Sequence, residues 1–387
     1  MNKNSEMFMK PFARAVEELR NPYVRELQDE GRRIMGFFCS YIPMELIAAA
    51  GLAPFRVKGL PGKDIGAGTT YLSTRLCTFS RNALSLALED DYSFLDGFIG
   101  SNTCDQIRRT SQNWIIKKPA AFNHFVHVPR VYRDGNISFF RDQLACLKEG
   151  LEVWTGRAIT DDDLRGAIEK YNRARGILRG LSALRRAEGP RLSGAHMLTI
   201  TVAYHQMPVD DFIPAAGALL ESLVKEKAAP GQMNEGRARV LLCGGMIDEP
   251  EYVAFMEEQG FDVVADPVCF GMRSYRDDAD TAGDPLEAIA ARSLTHFPCP
   301  HIGDSFFRRW DTIREIYDDY RADGIIFQRL IFCQIWGVDA HNMTGPCDTL
   351  GIPLLNLERE YGFFSSGQLK TRLQAFHELI EQRKEAV

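Results

Sequence analysis

The chain has 387 residues, 45% of them hydrophobic and 25% charged, which is enough for two domains with sizeable cores. A formal net charge of −6 argues against a nucleic-acid partner, and no stretch approaches the roughly 20 uninterrupted apolar residues that span a bilayer. Nine cysteines without small-domain spacing exclude a disulfide scaffold, and no targeting segment is evident at the N-terminus, so the expectation is a soluble cytoplasmic protein with no membrane association.

Residues 31–135 alternate strand-like and helix-like segments. An apolar strand at 34–39 ends at Ser40, helix formers at 44–50 are stopped by Gly51, and a short strand follows at 54–57. A helix is expected over 74–88 with Cys77 in its first turn, then strands over 94–100 and 125–131. From about 139 to 227 the strand signal disappears. There TDDD (160–163) precedes an apolar periodic run and has the form of a capping box with Asp in place of Glu.

The stretch 228–236 is rich in turn formers and reads as a linker. A second alternating region follows, with strands at 240–244 and 261–264, helices at 251–260, 285–294 and 306–323, strands at 324–332 and 352–357, and a closing helix at 366–384. The fold class is therefore α/β, with two flavodoxin- or Rossmann-like parallel-sheet units joined by helices. The expected boundaries are 1–138, 139–235 and 236–387.

Three cysteines stand out by context. DGFIGSNTC (96–104) and DGIIFQRLIFC (323–333) each open with Asp-Gly, run through an apolar strand and end at a cysteine, Cys104 and Cys333. Open α/β sheets bind ligands at the carboxyl ends of their strands. With Cys77, these thiols sit at strand ends or helix starts, where backbone N–H groups and the helix dipole favour a thiolate, the ligand iron–sulfur clusters require. A zinc finger or a ferredoxin-type run is excluded because no second cysteine stands two to four residues away. Cys146, Cys243 and Cys269 lie inside apolar or helical runs and read as small core residues. Cys299 and Cys347 occupy loops beside Pro or Asp and are assigned to neither class. A nucleophilic cysteine enzyme, with His124, His127, His296, His301 or His341 as base, has no local signature to support it.

Several segments together resemble one family. GFFCSYIP (36–43), ELIAAAGLAP (45–54), LDG (95–97) with NTCD (102–105), the strand leading to Cys333, and IPLLNLEREY (352–361) are similar to the family of 2-hydroxyacyl-CoA dehydratase subunits and the catalytic subunits of ATP-dependent benzoyl-CoA reductase. The resemblance implies one [4Fe–4S] cluster per chain, held between the two α/β units by Cys77, Cys104 and Cys333, with the fourth iron open or bound by a non-protein ligand. Cys39 falls in a matching segment and is expected to line the site. The implied partners are a homologous cluster-carrying subunit in a heterodimer, an ATP-hydrolysing iron–sulfur activator with ferredoxin upstream, and an acyl-CoA substrate. The absence of a phosphate loop of this chain's own agrees with ATP being spent on the activator.

The wording of residues 327–342 is most similar to the smaller cluster-carrying subunit of benzoyl-CoA reductase, which implies two-electron dearomatisation of benzoyl-CoA to a cyclic dienoyl-CoA. The other branch implies radical dehydration of a 2-hydroxyacyl-CoA. A third reading is an electron-relay subunit whose partner alone binds substrate. The candidate catalytic residues are His341, Glu45 and Tyr41; Glu45 reads equally as a helix cap and His341 as a structural hydrogen-bonding group in a loop with Asp339 and Asn342. Asp105 reads as a helix-start acceptor, Arg108 and Arg109 as a solvated face, and Glu358, Arg359 and Glu360 as an ion-pair network.

Overall fold

The computed structural model describes residues 3–133, 135–225, 236–362 and 367–385. Two four-stranded sheets, parallel throughout, carry the α/β units. The first contains β1 (Ile34–Phe37), β2 (Ala53–Arg56), β3 (Gly97–Ser101) and β4 (Phe122–Val126), in the order β2-β1-β3-β4. The second contains β5 (Ala238–Gly244), β6 (Phe261–Ala265), β7 (Gly324–Leu330) and β8 (Leu354–Arg359), in the order β6-β5-β7-β8. The two orders coincide when strands are matched in sequence. β1, β3 and β6 are buried along their whole length, which explains why they read as continuous apolar runs.

The repeated Asp-Gly has a physical cause that is the same in both sheets. Asp96 Oδ2 accepts the Ile34 N–H at 2.8 Å and Asp323 Oδ2 accepts the Arg239 N–H at 2.7 Å, so each carboxylate satisfies a donor at the start of the neighbouring strand. The following glycine faces a close neighbour. A Cβ at Gly97 would lie 2.5 Å from Met35 Cε, and one at Gly324 would lie 3.0 Å from Ile380 Cδ1.

Between the sheets in sequence run the helices Asn136–Thr155, Asp161–Ala183, Gly194–Tyr204 and Val209–Lys225. The capping box at Thr160 forms as expected: Thr160 N donates to Asp163 Oδ2 at 2.9 Å and Asp163 N to Thr160 Oγ1 at 3.2 Å. One hydrophobic cluster takes Met35 and Phe37 from the first sheet, Leu144, Tyr171 and Ala203 from these helices, and Leu241 and Phe327 from the second sheet. The units therefore share a core. The expected linker lies outside the described residues apart from Gly236.

Several expected boundaries shift. Strand pairing expected over 125–131 covers Phe122–Val126 instead, with Pro129, which has no N–H to donate, just beyond it. The strand expected to reach Phe332 ends at Leu330, because Phe332 takes a left-handed φ of 66° and turns the chain into the helix Gln334–Leu350. Asp339, His341 and Asn342 consequently lie in that helix and not in a loop. Cys77 precedes the helix Thr78–Leu88 as its N-cap, with no strand before it. No helix among the described residues is long and apolar enough to cross a membrane.

Candidate metal centre

Six of the nine cysteines line one cavity of about 100 Å³: Cys39, Cys77 and Cys104 from the first unit, and Cys269, Cys299 and Cys333 from the second. The loops that present Cys39, Cys104, Cys269 and Cys333 leave the carboxyl ends of β1, β3, β6 and β7. Phe38, Phe79, Met246, Ile335 and Trp336 complete an apolar wall. Among the described residues no group of three His, Cys, Asp or Glu side chains is placed to hold a single metal ion. The thiols surround a space instead.

Cys77, Cys104 and Cys333 share one local geometry, since each is the N-cap of a helix: Thr78–Leu88, Asp105–Lys117 and Gln334–Leu350. Three positive helix ends thus converge on the cavity. Cys104 Sγ accepts the Ile107 N–H at 3.3 Å, and Cys77 Sγ lies 3.1 Å from Ser80 Oγ. The direction of the thiol pKa values is opposite to that expected from position. Burial pushes all three thiols up, and for Cys104 it outweighs the Ile107 N–H bond.

Gln106, which sequence reasoning passed over, ties these segments together. It is buried, its Oε1 accepts the Cys77 N–H at 2.9 Å, and its Nε2 donates to the Phe332 carbonyl at 2.9 Å. Standing two residues after Cys104, it connects all three loops.

Two buried arginines adjoin the cavity without a carboxylate partner among the described residues. Arg56 lines it and donates to the carbonyls of Phe38 (2.9 Å) and Cys269 (2.8 Å), with its guanidinium carbon 4.0 Å from the Phe270 ring centre. Arg273 is 1% exposed, and its Nε and Nη1 are buried with no hydrogen-bond partner. Its electrostatic neighbours are Cys299, Cys269, Tyr41 and Cys39. Burial pushes the Cys269 thiol up to about 11, against the pull of Arg273, so that thiol is neutral near pH 7. A buried cation without an anion is costly, and with three helix N-termini it suits a cavity that receives a negatively charged group.

The other expected site residues are distributed differently. Tyr41 is fully buried against His296 and His301, with ring centres 5.1 and 5.8 Å away. Its hydroxyl has no side-chain partner among the described residues, and burial followed by Cys299 pushes its pKa upward. His296 is held well below 6.5 and His301 down to about 4, both chiefly by burial, so both are neutral at pH 7. HFPCPH (296–301), with Cys299 between two histidines, was the signal available for this loop.

Glu45 faces the helical segment, not the cavity. It is 1% exposed and pairs with Arg175 at 2.5 Å; burial pushes its carboxyl up, but Arg175 and Arg292 outweigh that and hold it below the usual range. His341 is exposed on its helix, away from the cavity lining. Asp339 is held by Arg309 through two bonds of 2.5 and 2.6 Å. Asp105 is exposed and pairs with Arg108 at 3.0 Å. The expected ion pairs at the end of β8 form, Glu358 with Arg329 at 2.7 Å and Arg359 with Glu249.

Comparison with known proteins agrees with this architecture. The sequence model of the family 2-hydroxyglutaryl-CoA dehydratase, D-component, matches residues 39–380. The chain is 27% identical over 344 residues to one of the subunits of benzoyl-CoA reductase from Thauera aromatica, covering 85% of this chain and 86% of that one. It is 26% identical over 378 residues to the (R)-phenyllactyl-CoA dehydratase beta subunit of Clostridium sporogenes, covering 97% and 100%. It is also 26% identical over 361 residues to subunit beta of (R)-2-hydroxyglutaryl-CoA dehydratase of Acidaminococcus fermentans, covering 91% and 93%. With nearly its whole length matched, the chain belongs to the 2-hydroxyglutaryl-CoA dehydratase D-component family.

Proposed function

We propose that this chain is the cluster-bearing subunit of an ATP-dependent benzoyl-CoA reductase, with one [4Fe–4S] cluster held by Cys77, Cys104 and Cys333. The observation that carries the reading is the placement of these three thiols as helix N-caps around one cavity, beside two arginines that lack an anion. A cluster bound there supplies single electrons at low potential to a CoA thioester, whose carbonyl spreads the added charge.

The residues of this chain supply the surroundings. Gln106 fixes the spacing of the ligand loops, and Phe38, Met246 and Trp336 keep water from the cavity. Tyr41 holds a proton behind Cys39 and Cys299, because burial keeps it a phenol. The partners are a homologous cluster-carrying subunit, an ATP-hydrolysing iron–sulfur activator supplied by ferredoxin, and the acyl-CoA.

A second reading, a 2-hydroxyacyl-CoA dehydratase subunit, is favoured by the similarity to dehydratase beta subunits over 100% and 93% of their lengths. The deciding experiment is anaerobic co-expression with adjacent genes, iron and sulfide counting, and assays with ATP and a strong reductant. Consumption of benzoyl-CoA coupled to ATP hydrolysis, and loss of about one cluster in Cys104→Ala, supports the reductase. Dehydration of a 2-hydroxyacyl-CoA without benzoyl-CoA turnover moves the chain to the second reading, and full iron in Cys104→Ala overturns the ligand set.

A further inference from the structure

We infer that Arg273 is the buried counter-charge of the cluster cavity and sets the reduction potential of the group bound there. The inference rests on the cluster reading above and deepens it. Arg273 lies in the short helix Met272–Ser274, which follows the loop presenting Cys269. It does not itself line the cavity, and of the lining thiols Cys299, Cys269 and Cys39 are those that interact most with its charge.

Its environment leaves the charge unspent. Two of its three nitrogens have no hydrogen-bond partner among the described residues, and the Phe297 ring centre is 5.9 Å from the guanidinium carbon, at the edge of cation–π range. Asp339, the carboxylate that feels Arg273, is already bound through both oxygens to Arg309. Three other buried arginines differ: Arg175 pairs with Glu45, Arg185 with Asp266 at 3.0 Å, and Arg359 with Glu249. Those pairs hold elements together. The cavity-lining thiols Cys299, Cys269 and Cys39, with Tyr41, are the main neighbours that raise the pKa of Arg273.

A cluster bound by three thiolates is anionic and becomes more so on accepting an electron. A fixed cation in a low-dielectric wall therefore stabilises the reduced state more than the oxidised one and raises the potential. Arg273 is a positioning charge that acts through the cluster, with no bond to substrate in this arrangement.

The test is an anaerobic redox titration followed by electron paramagnetic resonance on the full purified complex. This chain's cluster is identified as the signal missing from Cys104→Ala. Arg273→Gln and Arg273→Met are expected to retain iron and shift the one-electron equilibrium at least tenfold toward the oxidised form, about 59 mV to lower potential. Arg273→Lys is expected to recover most of that shift near pH 7 and to lose it as pH rises, since a buried ammonium can shed its proton whereas wild type keeps its guanidinium charge. Unchanged midpoints in both neutral variants at full iron overturn the inference. If neither neutral variant folds, matching pH profiles for Arg273→Lys and wild type overturn it. Wild-type protein without iron and sulfide would defeat the cluster reading instead, a result distinct from a loaded protein whose potential ignores residue 273.

Discussion

Gln106 holds the backbone of Cys77 by accepting its N–H at 2.9 Å, and through its other side-chain atom it holds the Phe332 carbonyl that precedes Cys333. One amide thus sets the spacing of thiols that are far apart in sequence. Gln106→Leu removes both bonds inside a buried site and leaves two backbone groups unpaired. We expect a loss of about 2–4 kcal/mol in stability and iron content well below wild type. Urea unfolding and iron analysis check this; wild-type iron at wild-type stability would remove Gln106 from its role.

Glu45 and Arg175 form a buried pair that fastens the helix Met44–Ala49 to the helix Asp161–Ala183. Arg175→Met strands the Glu45 carboxylate in the core, which typically costs about 3–5 kcal/mol. The denaturation midpoint should fall accordingly, and adding Glu45→Leu should restore part of it. A double-mutant cycle without coupling between the two positions would refute the pair's importance.

Tyr41→Phe separates chemistry from stability. The hydroxyl has no side-chain partner in the core, so its removal should leave stability within about 1 kcal/mol and iron unchanged. If Tyr41 delivers a proton during turnover, activity should fall by roughly 100-fold or more. Turnover at the wild-type rate assigns Tyr41 to packing against His296 and His301.

Asp248 gives the fold a pH dependence. Its Oδ2 accepts the Gly59 N–H at 2.8 Å across the two units, while burial and the charge of Glu249 push its pKa from 3.8 up to about 7. The folded chain keeps a proton that the unfolded chain releases near pH 4. The stabilisation from this group is therefore complete below about pH 4 and is lost as pH rises through about 7. Thermal scans should show stability declining between about pH 4 and 7 in wild type and less so in Asp248→Asn, which retains an acceptor for Gly59. Parallel curves for the two proteins would contradict this.

Local chemistry made much of the molecule legible in advance. Asp-Gly before a buried strand, a cysteine after it, and Thr160 with Asp163 at a helix start are contacts made within a few residues or between adjacent strands, and the family resemblance of segments from 36 to 361 rests on the same stretches. Cys77, Cys104 and Cys333 were visible for that reason, although the left-handed turn at Phe332 and the N-cap position of Cys77 were not.

What tertiary structure decided is which chemical groups share space. The amino-acid order could not show that Cys269 and Cys299 join the other thiols, because that depends on the two units sharing a common core with the helices between them. Helix phase exposes His341 on a helix that begins beside Cys333, and the fold of the helical segment gives Glu45 to Arg175. Residue types fixed the menu of ligands, cations and acids, since those are properties of single side chains. Their pairing, and the isolation of Arg273, follow from long-range packing that determines which buried charges find partners.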